Sequence, residues 1–169
     1  MTIILNHLGY GVDKCTIADD YLPITNEPYS LDTYFIGNPH SKNGLGCNAP
    51  VIVKTANQYL SDAGGKYQAK LVTGSTPDQL YQYVANGVPV ICWVTIAMLD
   101  TRISATWTAK DTGRKVNFME NEHCTVLVGY DTAKGTVTLN DPWKGMITYS
   151  MPLFEKRYHQ LGNQAVIIL

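Results

Sequence analysis

Apolar side chains recur at helical spacing from the very start of the chain: Ile3, Ile4, His7 and Leu8 share a face, and Gly9 closes the run. No capping residue precedes Met1, so this helix is expected to lack its first turn. A short helical stretch over Thr16–Leu22 stops at Pro23. Residues 23–49 are rich in Pro, Asn, Gly and Ser and have little period, which predicts a long connection packed down by Tyr29, Tyr34 and Phe35. Helical period returns between about Pro50 and Ser61, with Val51, Ile52, Thr55, Ala56, Tyr59 and Leu60 on one face. Asn48 is the expected N-cap there, and Pro50 suits the first turn. Thr76-Pro77-Asp78 opens another helix whose apolar face is Leu80, Tyr83 and Val84, and Asn86-Gly87 ends it.

The period then changes. Val88–Thr95 is a continuous apolar, β-branched run, as a strand buried on both faces requires. Ala105–Thr108 and Lys115–Met119 flank the turn signal Asp111-Thr112-Gly113 and predict a partly exposed hairpin. Cys124–Tyr130 and Thr136–Asn140 form a second hairpin around a five-residue turn, residues 131–135, and Met146–Ser150 follows as a strand. Ser150 and Pro152 start a last helix with Phe154, Tyr158 and Leu161 inward, and Ala165–Leu169 is a final strand. Helices first and antiparallel strands after predict an α+β fold, with residues 1–169 as a single domain.

Composition narrows the class. The chain has 169 residues, 45% of them hydrophobic and 16% charged, which excludes a disordered chain. Its 13 basic and 14 acidic side chains leave a net charge of −1, so an electrostatic nucleic-acid binder is not expected. No apolar run is long enough to span a membrane, and the N-terminus lacks the basic start and small-residue cleavage site of a signal peptide. Cys15, Cys47, Cys92 and Cys124 lie far apart with no close pair, so neither a structural zinc nor any cofactor is implied. Two disulfides would fit the count, but the spacing selects no pairing. Cys92 and Cys124 sit inside apolar runs and read as small buried hydrophobes.

The segment with most chemistry is Asn121-Glu122-His123-Cys124-Thr125, followed by Asn140-Asp141-Pro142-Trp143. With the turn centred on Ala133, Asp141 faces Thr125 and His123 becomes its diagonal neighbour on the same sheet face. A carboxylate on one imidazole nitrogen fixes the tautomer and leaves the other nitrogen as a base. Such a pair lacks only a nucleophile. Cys47, in Gly44-Leu45-Gly46-Cys47-Asn48-Ala49-Pro50, stands just before a helix, where the positive helix end would lower a thiol pKa. A buried structural cysteine fits the same position. The G-x-G-x-x-A pattern of that segment follows no strand, which argues against a dinucleotide site. His7, His40 and His159 have no ligand-spaced partner and read as core or surface residues. Trp93, Trp107 and Trp143 are core by default, though any of them could floor a cleft.

The stretch NEHCTVLVGYD, the later NDPW and the C-terminal helix and strand together resemble bacterial peptidase-like domains related to the bacteriocin-leader-processing cysteine peptidases. ILNHLGYGVDKCTIADDYLP, GLGCNAPVIVKTANQYL and QYVANGVPVICWVT fit as well, so the resemblance covers essentially the whole chain. It implies a papain-like fold with N-terminal helices packed on an antiparallel sheet, a peptide or protein substrate, and an association with export. It also implies His123 as general base, Asp141 as its orienting acid, and a thiol nucleophile carried just ahead of the first helix. The resembling domains carry that thiol in a segment like T-G-C-E, with a glutamine for the oxyanion further upstream. Neither motif occurs here, and Cys47 does not correspond to that thiol.

Three readings follow. In the first the domain is a papain-like cysteine peptidase that keeps His123 and Asp141, while the segment with the nucleophilic cysteine is missing from the sequence as written. In the second it is a non-catalytic module that holds an extended peptide. In the third it is a thiol hydrolase in which Cys47 is the nucleophile.

Overall fold

A computed structural model describes all of residues 1–169. Helix α1 (Thr2–His7) has no side-chain cap and ends before Gly9, whose φ of +91° is the left-handed conformation a helix exit needs. Asp13 caps the short α2 (Lys14–Thr16), and Ile17–Tyr21 continues as one π-helical turn. The expected helix over Thr16–Leu22 thus begins two residues earlier and is wider than an α-helix. The long connection contains two strands of two residues each, β1 (Ile24–Thr25) and β2 (Phe35–Ile36), paired in parallel.

Helix α3 (Ala49–Asp62) begins at the expected Asn48, but the capping chemistry differs. The Asn48 side chain donates to Asp32 Oδ1 instead, and Gln164 Oε1, 115 residues away, accepts from the Ala49 N–H. The C-terminal end of the chain therefore closes the N-terminal end of α3. Strand β3 (Ala69–Leu71) gives no signal in the sequence because it is a three-residue edge strand. Thr76 and Gln79 form a capping box on α4 (Pro77–Ala85).

Every residue of β4 (Val90–Thr95) is buried. The exposed hairpin β5 (Ile103–Thr108) and β6 (Lys115–Met119) forms its own two-stranded sheet. Strands β7 (Glu122–Asp131), β8 (Thr136–Asp141) and β9 (Gly145–Ser150) lead to α5 (Met151–Gln160) and β10 (Ala165–Ile168). The main sheet has the order β3-β10-β4-β7-β8-β9 and is antiparallel throughout.

Alternation along β4 divides the core between the two faces of this sheet. Ile91 and Trp93 pack toward Ile4, Leu5, Ala56 and Leu60 of α1 and α3. Val90, Cys92 and Val94 pack toward Leu80 of α4 and Phe154 and Tyr158 of α5. The N-terminal helices thus cover one face, as an α+β papain-like fold predicts, and α4 and α5 cover the other. No helix is long and apolar enough to cross a membrane.

One buried charge braces the exit from β4. Ala97 and Met98 are both left-handed, with φ of 52° and 57°, a strained pair for residues that carry a Cβ. Arg157, buried on α5, donates from Nε to the Met98 carbonyl and pairs with Asp100 at 2.6 Å. This turn places Ile96 at the cleft described next.

Candidate active site

The β7–β8 hairpin brings His123 and Asp141 together. Val126 pairs with Asn140 and Leu127 with Leu139, the register that a turn centred on Ala133 predicts. The turn itself is tighter, because β7 runs on to Asp131 and pairs it with Thr136. A bulge between Leu127 and Gly129 absorbs the extra residue and restores the register at the site. His123 Nε2 lies 2.8 Å from Asp141 Oδ2, and both side chains are buried.

Asp141 is held on its other oxygen too. Oδ1 accepts the backbone N–H groups of Trp143, at 2.8 Å, and Lys144, at 3.1 Å. Burial by itself would raise the Asp141 pKa, but the hydrogen bonds from the Trp143 N–H and from His123 outweigh it, and the pKa lies below the usual carboxylate value. Asp141 is therefore an acceptor only, so Nε2 carries the proton and Nδ1 of neutral His123 is the basic nitrogen. The Trp143 ring sits 4.5 Å from the His123 ring, which fixes the imidazole plane from one side. Trp143 itself is 69% exposed, so the pair lies directly beneath a solvent-facing aromatic.

His123 opens into a cleft of about 490 Å³. Met1 and Thr2 at the head of α1, Ile17, Phe35, Trp93 and Phe118 form much of its wall, and Cys47 and Cys124 also line it. Trp93 Nε1 donates to the Cys47 carbonyl at 3.0 Å and so pins the residue before α3 to the cleft floor. Of the three tryptophans, Trp93 and Trp143 border the cleft, whereas Trp107 donates to the Tyr29 carbonyl beside the β5–β6 hairpin.

The cysteines differ from one another. Cys15 is exposed, Cys92 is fully buried near the Thr125 hydroxyl, and Cys124 is partly buried. Burial pushes the Cys124 thiol up to about 11 and the Cys92 thiol to about 12. Cys47 shares the cleft with His123, yet no hydrogen bond joins them. Burial, reinforced by Cys124 and Glu122, raises the Cys47 pKa well above that of a free thiol. This is opposite to the helix-end effect expected from its place before α3. Desolvation outweighs the partial charge of the helix because the thiol is 7% exposed. No group of three or more His, Cys, Asp or Glu side chains is arranged to hold a metal ion.

Two features gave no signal in the sequence. His40, at the cleft rim beside Pro39 and Ser41, lies 2.5 Å from Asp19 Oδ1, a contact across 21 residues of irregular chain. Glu122 is the second: its carboxyl, half-buried and still reached by solvent, borders the cleft and makes no hydrogen bond or ion pair within the chain. Burial raises its pKa to about 8.

The folded state thus keeps a proton that the unfolded chain releases at an ordinary carboxylate pKa. Stability contributed by that proton is complete below about pH 4.5 and declines as the pH rises toward about 8. Glu122→Gln removes the titration. The stability of the variant relative to the parent is expected to rise by on the order of 2 kcal/mol across that window, less than the full shift implies because some solvent reaches the carboxyl. Urea unfolding at a series of pH values measures it, and parallel pH profiles for the two proteins would contradict it.

Comparisons with known proteins agree with this architecture. Residues 1–166 match the model of the Peptidase C39 like family. The uncharacterized protein YvpB of Bacillus subtilis strain 168 is 30% identical over 178 residues, which cover 99% of this chain and 66% of that relative. The chain therefore spans just under two thirds of that relative's length. The crystal structure of a candidate C39-like peptidase from Bacillus anthracis superposes with a TM-score of 0.83 at 26% identity, covering 99% of this chain and 84% of that one. By sequence and by fold, the chain belongs to the Peptidase C39 like family and is related to the papain-like peptidases.

Proposed function

We propose that this domain is the base-and-acid half of a papain-like cysteine peptidase site, with His123 as general base and Asp141 as the group that orients it. The observation that carries this reading is the buried His123–Asp141 contact of 2.8 Å, with His123 lining a cleft large enough for an extended peptide. Nδ1 takes the proton of a thiol, and the thiolate attacks the scissile carbonyl. The imidazolium, stabilised by the Asp141 carboxylate, then gives the proton to the leaving amine, and water releases the acyl group by the same cycle.

The nucleophile in this reading is a thiol carried ahead of α1, whose head forms part of the cleft wall. Cys47 is the weaker choice. A buried thiol with a raised pKa and no hydrogen bond to a base is mostly unionised at neutral pH, and it is the thiolate that attacks. The non-catalytic reading, a cleft that holds an extended peptide without cutting it, draws on the same observations. It becomes the better account wherever peptide binds without turnover.

The test is hydrolysis of a fluorogenic peptide mixture by the polypeptide isolated from its source. The expected result is turnover that iodoacetamide abolishes. Turnover indifferent to thiol reagents, or peptide binding with no turnover, would overturn the peptidase reading.

A further inference from the structure

One partly buried ionisable side chain on the cleft, Glu122, is not used by the proposed chemistry. Lys14, Lys42 and Glu120 also border the cleft, but all three are exposed at its rim. Glu122 is different: it follows the β6–β7 turn, stands next to His123 on β7 and is turned inward.

Its carboxyl has room because residue 46 is glycine. A Cβ at Gly46 would come within 2.8 Å of Glu122 Oε1. Gly46 also has a φ of +96°, so a side chain there is disfavoured by the backbone as well. Glu122 also borders a second cavity of about 290 Å³, whose lining includes Arg114 and Lys115 as well as Asp32, Asn48, Asn117 and Gln164. A long side chain entering from the peptide cleft would therefore meet the Glu122 carboxyl first.

We propose that Glu122 is the specificity determinant of this cleft and takes a lysine or arginine side chain of the bound peptide. This rests on the peptide-cleft reading above and adds the class of side chain preferred. Several features support it. Glu122 has no partner in the chain, and an unpaired, partly desolvated carboxyl gains more from an incoming cation than an exposed one does. In the empty cleft burial keeps it protonated up to about pH 8, and a cation beside it restores the carboxylate. Its neighbours Cys47 and Cys124 have thiols raised by burial and stay uncharged. Apolar walls from Trp93 and Ile52 suit the methylene stem of a lysine.

The experiment uses acetylated, amidated hexapeptide mixtures with one position fixed in turn as lysine, norleucine or glutamate. Binding to this chain is measured by tryptophan fluorescence, with Trp143 and Trp93 at the cleft as reporters. At one position lysine is expected to bind at least about tenfold more tightly than norleucine, the gain typical of a charge-assisted hydrogen bond. In Glu122→Gln the two are expected to fall within about twofold of each other, with the norleucine affinity unchanged. That unchanged affinity also shows that the variant folds.

Gly46→Ala displaces the carboxyl without removing it and is expected to erase the same preference. Glu120→Gln, at the exposed rim, is expected to leave it intact. Peptides that bind with no preference for lysine, or a preference that survives Glu122→Gln, would overturn the subsite and leave the peptide cleft standing. Absence of binding by every mixture would overturn both.

Discussion

Replacing His123 with alanine is expected to lower kcat/KM for thiol-dependent peptide hydrolysis by at least about a thousandfold in the polypeptide as its source makes it. The size follows from what is lost. In the proposed reaction Nδ1 of His123 accepts the proton of the thiol and later returns it to the leaving amine, so one substitution removes both the base and the acid. The ring is also packed against Trp143, 4.5 Å away, and its loss leaves the buried Asp141 carboxylate with only backbone donors. Substrate affinity is expected to change little, because the imidazole acts on the reacting atoms rather than on the peptide ends. A His123→Ala protein with more than a tenth of the parent activity would show that another group supplies the base. Stopped assays with a fluorogenic peptide, run with and without iodoacetamide, measure the effect.

Asp141→Asn is expected to be nearly as damaging, although it changes one atom. Asp141 uses two acceptor oxygens for three donors: Oδ2 for His123 Nε2, and Oδ1 for the Trp143 and Lys144 N–H groups. An asparagine has a single acceptor oxygen. If that oxygen stays on the two backbone N–H groups, the amide NH2 faces Nε2, which must then be the unprotonated nitrogen. The proton moves to Nδ1 and the base is blocked. If the oxygen turns to His123, two backbone donors lose their acceptor and meet the NH2 instead.

The second arrangement costs about 1–3 kcal/mol of unsatisfied or opposed hydrogen bonding. The first lowers kcat/KM by about a hundred- to ten-thousandfold, through the wrong tautomer. Kinetics and urea unfolding of the same variant separate the two costs. Activity within about twofold of the parent would mean that the two backbone bonds to Oδ1 do not constrain the carboxyl, and the account of how His123 is oriented would fall.

Much of the fold was legible because local pattern and burial coincide. The apolar run of β4 is buried at every position, and the capping residues and proline of α4 mark its start within a residue. The His123–Asp141 pairing could be read from hairpin register, but for a reason more complicated than symmetry about Ala133. The tight turn and the bulge shift the pairing in opposite directions and cancel at the site. Gly129 within the strand is a local hint of a bulge, but the apolar run Val126-Leu127-Val128 ahead of it has no alternation that would fix the bulge's position.

Other features were illegible because their partners are distant. Asn48 has the right identity for an N-cap, yet Gln164 does the capping, and nothing local reports an acceptor 115 residues away. Arg157 falls on the helical repeat of Phe154 and Leu161 and is buried because the Met98 carbonyl and Asp100 receive it. For Cys47 the sequence leaves a helix-end thiolate and a buried structural cysteine both open, and its burial, with the raised pKa, agrees with the second. Glu122 looks in the sequence like an ordinary polar residue at a strand start. Only the missing Cβ of Gly46 and the absence of a partner mark it out.

The central claim is that His123 serves a thiol other than Cys47. The rate of alkylation against pH, mapped to each cysteine by mass spectrometry in the polypeptide from its source and in His123→Ala, tests it most directly. An unperturbed thiol titrates near about pH 8.5. Cys15 is expected to react at the rate of an exposed thiol, and Cys47, Cys92 and Cys124 slowly and only at high pH, unaffected by His123→Ala. The thiol that reacts rapidly near about pH 6, and loses that behaviour without His123, is expected to lie outside these four. Rapid, His123-dependent modification of Cys47 near the same pH would contradict the claim and make Cys47 the nucleophile.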